Sequence, residues 1–157
     1  MRRYLTPMTL VVVLSVTFAL TVADSAQAED AVCSTARAAG TYGVSDSGTV
    51  VGIGPRAAVA LLTLDAAGNI KGKVTASLNG SVTNGTLSGT FTVNPDCTGT
   101  TTFGEFDPSG NLMITATVAL VWDNNMREFR FLFISAVLPD QTALATVISG
   151  DAVKIVP

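Results

Sequence analysis

Ile70-Lys71-Gly72-Lys73-Val74-Thr75-Ala76-Ser77-Leu78 decides the fold class. Ile70, Val74, Ala76 and Leu78 fall on one side of an extended chain, and Lys71, Lys73, Thr75 and Ser77 fall on the other. A period of two belongs to a strand with one buried and one wet face, whereas a helix repeats its apolar positions every three to four residues. Leu87, Phe91 and Val93 against Thr86, Ser88, Thr90 and Thr92 repeat the arrangement.

Outward from these two segments the chain keeps the same grammar. Runs of β-branched and aromatic residues are expected as strands at about 41–45, 57–65, 70–79, 86–94, 100–106, 112–122, 127–137 and 142–149, with a short tail at 153–156. Asp65-Ala66-Ala67-Gly68-Asn69, Asn84-Gly85, Asp107-Pro108-Ser109-Gly110-Asn111 and Asp123-Asn124-Asn125 punctuate them. These residues tolerate positive φ or bond their own backbone, as short hairpin connections require. Successive hairpins form an all-β, antiparallel up-and-down meander. About eight strands remove their exposed edges most economically by closing into a barrel, with a two-sheet sandwich as the alternative.

The first residues carry an address. Arg2 and Arg3 precede an apolar run from Leu10 to Ala23, and Ala26-Gln27-Ala28 precedes Glu29 and Asp30. Basic, apolar, then small-x-small is the order of a cleavable secretory signal peptide, expected over residues 1–28, with a single domain at 29–157. The apolar run falls short of the roughly 20 residues that a spanning helix needs, which favours cleavage over anchoring. The expected location is therefore exported, periplasmic or extracellular, without stable membrane insertion. An outer-membrane barrel is disfavoured because the strands lack aromatic girdles.

Cleavage would remove Arg2, Arg3 and Asp24 and leave 7 basic against 11 acidic residues, net −4 compared with −3 for the whole chain. Nucleic-acid binding needs a clustered basic face, and Lys71 with Lys73 is the nearest approach to one. Two cysteines, Cys33 and Cys97, are expected to pair in an oxidising compartment. Closing so long a loop stabilises by about 4 kcal/mol in the chain-entropy account. Histidine is absent. Zinc sites of the usual Cys/His composition and imidazole-based catalysis are thereby excluded, and no metal or cofactor is expected.

Few residues suggest chemistry. Gly52-Ile53-Gly54-Pro55-Arg56-Ala57 matches a dinucleotide-binding pattern, but Pro55 interrupts it and hairpins follow it, so a mobile loop between the first two strands is expected. Among Asp96, Glu105 and Asp107, Glu105 is the best acid because it lies inside a strand; if its face points inward it is a buried acid. Tyr42 is the second catalytic candidate. Tyr42, Phe91, Phe103, Trp122 and Phe131 are the candidate ligand-lining residues, and Phe129, Phe131 and Phe133 alternate along one strand face. Asn79-Gly80-Ser81 and Asn84-Gly85-Thr86 match glycan acceptors but read equally as turns. Strands 112–122 and 127–137 are apolar on both faces in places, Met113 and Val121 included, and predict a covering partner subunit or N-terminal flap.

Gly40-Thr41-Tyr42-Gly43, Leu64-Asp65-Ala66-Ala67-Gly68-Asn69 and Val93-Asn94-Pro95-Asp96-Cys97-Thr98-Gly99-Thr100 together resemble the recurring signature of small exported bacterial β-barrel proteins. The resemblance spans most of the chain after residue 28 and implies no activity; it implies that Cys97 is a structural half-cystine. In architecture alone the strand count is similar to lipocalins and allene oxide cyclase-like barrels, which include binders and cyclases. Gly40-Thr41-Tyr42 puts tyrosine where the lipocalin Gly-x-Trp opening has tryptophan. The leading expectation is an exported barrel binding a small apolar ligand. The alternatives are a cyclase or isomerase in the same cavity, or a structural, surface-interacting subunit that oligomerises.

Overall fold

The computed structural model describes residues 33–123 and 125–156. The expected signal peptide lies outside them. A one-turn helix, α1 (Thr35–Ala38), precedes β1 (Gly40–Val50), β2 (Gly54–Leu64), β3 (Asn69–Leu78), β4 (Ser81–Val93), β5 (Thr98–Phe106), β6 (Leu112–Trp122), β7 (Glu128–Val137) and β8 (Thr146–Val156). Each strand pairs antiparallel with the next and β8 returns to β1, closing the barrel. The meander is as expected, and closure displaces the sandwich alternative.

One turn chemistry recurs. Asp65 accepts hydrogen bonds from Ala67 N and from Asn69 N and Nδ2, and Gly68 has φ +89°. Asp107 does the same for Ser109 and Asn111, with Gly110 at φ +86°. The carboxylate fixes the bend and the left-handed residue returns the chain in register. In the β4–β5 turn the left-handed position belongs to Cys97, at φ +66°. Cys97 is bonded to Cys33 with its Cα at 5.0 Å, which ties the segment before α1 to this turn.

Several strand boundaries differ from the sequence reading. β1 continues past Ser45 to Val50, because closure gives Asp46 and Ser47 partners on both sides, in β2 and β8. Asn84-Gly85 sits inside β4, where Gly85 pairs with Val74 and an added Cβ would lie 2.4 Å from the Phe106 carbonyl oxygen. The turn before β4 is Asn79-Gly80, both with positive φ, as a two-residue hairpin demands. The expected eighth strand and tail form one strand, β8, which begins at Thr146. The connection at 51–53 is a three-residue turn between the paired ends Val50 and Gly54, shorter than the loop expected at 52–57.

Alternation carries the core inward. Leu62, Leu64, Ile70, Val74, Leu87, Phe91, Val118, Leu120 and Phe129 are all buried. The outer surface is uneven. β4 and β5 present Thr90, Thr92, Thr100 and Thr102, whereas Val121, Leu132 and Ile134 on β6 and β7 are 59, 49 and 58 % exposed. Among the described residues no N-terminal flap covers them. The segment after Cys33 becomes α1 and sits at the barrel end, where the Ala38 carbonyl meets Tyr42.

Candidate functional site

The interior holds a cavity between two different ends. At the α1 end the Tyr42 hydroxyl donates to the Ala38 carbonyl at 2.8 Å and lies 3.2 Å from the Met126 carbonyl. Lys154 Nζ donates to the Arg37 and Ala39 carbonyls and lies 5.4 Å from the Tyr42 ring centroid. Trp122 packs edge-on to Tyr42 and 4.4 Å from the Phe129 ring centroid. This layer closes the barrel. Burial, with Asp123 nearby, pushes the Tyr42 phenol well above its usual range, so it is a fixed hydrogen-bond donor at ordinary pH.

Beyond that layer lies the cavity, with about 50 Å³ open to a water-sized occupant. At roughly 10–15 Å³ per water on that measure, it holds only a few waters. Its wall is mostly apolar, including Leu62, Ile70, Phe91, Leu120, Phe131 and Phe133. β7 contributes Phe129, Phe131 and Phe133 on one face, their neighbouring ring centroids 6.2 and 6.3 Å apart. Gly150 on β8 makes room for the Phe131 ring, whose Cζ would stand 2.5 Å from an added Cβ.

Three charged side chains join this wall: Asp46 from β1, Arg56 from β2 and Glu105 from β5. Asp46 pairs with Ala58 and Gly48 with Arg56, so Asp46 and Arg56 are diagonal neighbours on one face. Arg56 Nη1 contacts Asp46 Oδ1 directly. Its Nη2 lies 3.8 Å from Glu105 Oε2, a contact across the barrel interior, since β2 and β5 are not adjacent strands. The guanidinium also stands 5.6 Å from the Phe133 ring centroid. These side chains are only 10 to 12 % exposed, so solvent screens them weakly.

Burial pushes both acids up. For Asp46 it outweighs the charge and hydrogen bond of Arg56. For Glu105 it outweighs Arg56 and is reinforced by Asp46. A buried acid held above the ordinary carboxylate range is a proton donor or a receptor for a positive group.

Of the residues singled out from sequence, Phe91, Phe103, Phe131 and Glu105 share the cavity wall. Tyr42 and Trp122 do not: both belong to the closing layer, Tyr42 because its hydroxyl finds its partners in α1 and at Met126. The Trp122 indole N–H is buried there without a hydrogen-bond partner among the described residues. Asp107 and Asp96 serve turns and do not approach Glu105 as partners. The partners of Glu105, Asp46 and Arg56, escaped the sequence reading. Arg56 shares its phase with Ala58, Ala60, Leu62 and Leu64, and Asp46 shares its phase with Tyr42, Val44 and Val50. Alternation extended one residue further along each strand would have placed both inside.

No family model and no curated protein matches the chain. Among solved structures the chain is similar to EF1p2_mFAP2b bound to DFHBI, at TM-score 0.53 and 12 % identity, over 75 % of this chain and 94 % of that one. It is also similar to a redesigned β-barrel, mFAP1, bound to DFHBI, at TM-score 0.51 and 13 % identity, over 76 % of this chain and 97 % of that one. At such identities the likeness is one of fold.

Proposed function

We propose that this protein is an exported binder that takes one small, largely apolar molecule into the barrel interior. The observation that carries the reading is the cavity itself: an apolar wall interrupted on its far side from α1 by a charged cluster. Ligand sites have this composition, with a few polar groups fixing orientation in a hydrophobic surround. An eight-stranded barrel is wide enough to be filled by side chains or to hold one small ligand. Both similar barrels hold DFHBI. Because the open volume is small, entry requires side chains to move, and Phe103 and Phe131 are the half-buried aromatics in the wall. The Cys33–Cys97 bond accords with an oxidising compartment, in line with the address read at residues 1–28.

The test is native mass spectrometry of protein purified from the exported fraction, with titration of the emptied protein by toluene. A co-purified small molecule or saturable toluene binding supports the reading. An empty protein that takes up no toluene overturns it. One observation favours a cyclase or isomerase instead: Glu105 is a buried carboxyl in the cavity wall, placed to exchange a proton with a confined molecule. Under that second reading the bound molecule leaves with an unchanged mass but an altered structure, which chromatography of the released ligand detects.

A further inference from the structure

We propose that the interior ligand carries a protonated amine at one end of an apolar body, and that Glu105 receives that amine. The inference rests on the interior-binding reading above and names the chemistry of its ligand.

The cluster contains one cation and two carboxylates. Arg56 Nη1 is committed to Asp46. Glu105 lies 3.8 Å from Nη2, an ion pair beyond hydrogen-bond range. Among the described residues Glu105 accepts no side-chain or backbone hydrogen bond, although the residue is only 9 % exposed and lines the cavity. Buried carboxylates ordinarily satisfy several acceptor positions. Glu105 therefore presents unused acceptor capacity, and with both acids ionised the cluster carries one uncompensated negative charge.

The candidate headgroups are not equivalent. An anion adds negative charge to a cluster that already holds two carboxylates against one cation, and it would have to lie beside Glu105 to reach Arg56 Nη2. A neutral apolar group leaves Glu105 as unpaired as before. An ammonium supplies N–H donors to Glu105 and balances the cluster. Phe103, two residues earlier on the same face of β5, meets Phe133 edge-on at 6.1 Å, so aromatic surface that attracts cations adjoins the carboxylate.

Calorimetric titration of the disulfide-intact protein at neutral pH with benzylamine, benzyl alcohol, benzoate and toluene tests this. Benzylamine is expected to bind at least about tenfold more tightly than the other three, the size of one charge-assisted hydrogen bond. Glu105→Gln should reduce benzylamine to the affinity of benzyl alcohol, and an unchanged far-ultraviolet circular dichroism spectrum shows that the variant folds. If toluene binds and benzylamine gains nothing over benzyl alcohol or benzoate, the amine assignment falls while interior binding stands. Equal benzylamine affinity in wild type and Glu105→Gln overturns the assignment to Glu105. If none of the four binds, both readings fall together.

Discussion

The two ends of the barrel handle buried polarity in opposite ways. At the α1 end the Tyr42 hydroxyl and the Lys154 ammonium are seated on backbone carbonyls, and a disulfide holds the N-terminal segment in place. On the far side of the cavity three charges from β1, β2 and β5 meet with one contact made and the other loose. Polar groups satisfied by backbone rigidify a fold, whereas a half-satisfied network in low dielectric is costly. Apart from the Trp122 indole N–H at the α1 end, the loosely made ion pair next to the cavity is where the proposed ligand would complete the structure.

The largest effect should come from loosening the disulfide-tied end. Replacing both Cys33 and Cys97 with alanine is expected to lower stability by about 4 kcal/mol in the chain-entropy account, read from denaturant midpoints. Cys97 adds a local test, since its backbone is left-handed at φ +66° and a side chain there costs about 1–2 kcal/mol relative to glycine. The pair Cys33→Ala with Cys97→Gly should therefore recover roughly 1 kcal/mol over the double alanine variant. Identical midpoints for the two would show that the turn carries no such strain.

Removing the single cation at the other end ranks second. Arg56→Met leaves Asp46 and Glu105 facing the cavity with no counter-charge, and stranding a buried charge typically costs about 3 kcal/mol. The loss should depend on pH. Without Arg56 both acids, already raised by burial, rise further. The folded state then binds more protons than the unfolded one, and stability falls as pH rises through the folded values. Urea denaturation at pH 7 and pH 4 should show most of the deficit at pH 7. A deficit independent of pH would mean that Arg56 acts through packing alone.

The same contrast explains what was legible in the sequence. The strands at 70–78 and 112–122 and the turns at Asp65 and Asp107 follow from local chemistry, namely alternation and a carboxylate that bonds the backbone two and four residues on. The disulfide followed from there being two cysteines and no other partner for either. The charged cluster did not follow, because it depends on barrel closure. Ser45-Asp46-Ser47-Gly48 has the composition of a turn and becomes strand only because β2 and β8 flank it. Asn84-Gly85 has the composition of a hairpin tip and is drawn into β4 by pairing with β3. Glu105 was recognisable as the acid inside a strand, buried if its face points inward, but its relation to Arg56 spans the interior and has no signature along the chain.

The smallest expected effect has the sharpest sign. Glu105→Gln keeps the shape of the side chain and removes a carboxylate whose folded pKa stands above its ordinary value of 4.5. For such a group the folded state binds the proton more tightly, so its stabilising contribution is complete below the unfolded value and is lost as pH rises through the folded one. Wild type should thus lose stability from this source as pH rises above 4.5, and the glutamine variant should not. Asp65, Asp96, Asp107 and Asp140, held low by hydrogen bonds at their turns, contribute in the opposite direction, but they are common to both proteins and cancel in the difference. The variant should match wild type near pH 4 and equal or exceed it at pH 7 by up to about 1 kcal/mol, in line with the modest net worth of an imperfectly made pair. A glutamine variant weaker than wild type at pH 7 would show that the 3.8 Å contact with Arg56 stabilises the fold. Glu105 would then belong with Tyr42 as a support of the barrel, and the difference between the two ends would lie in geometry alone.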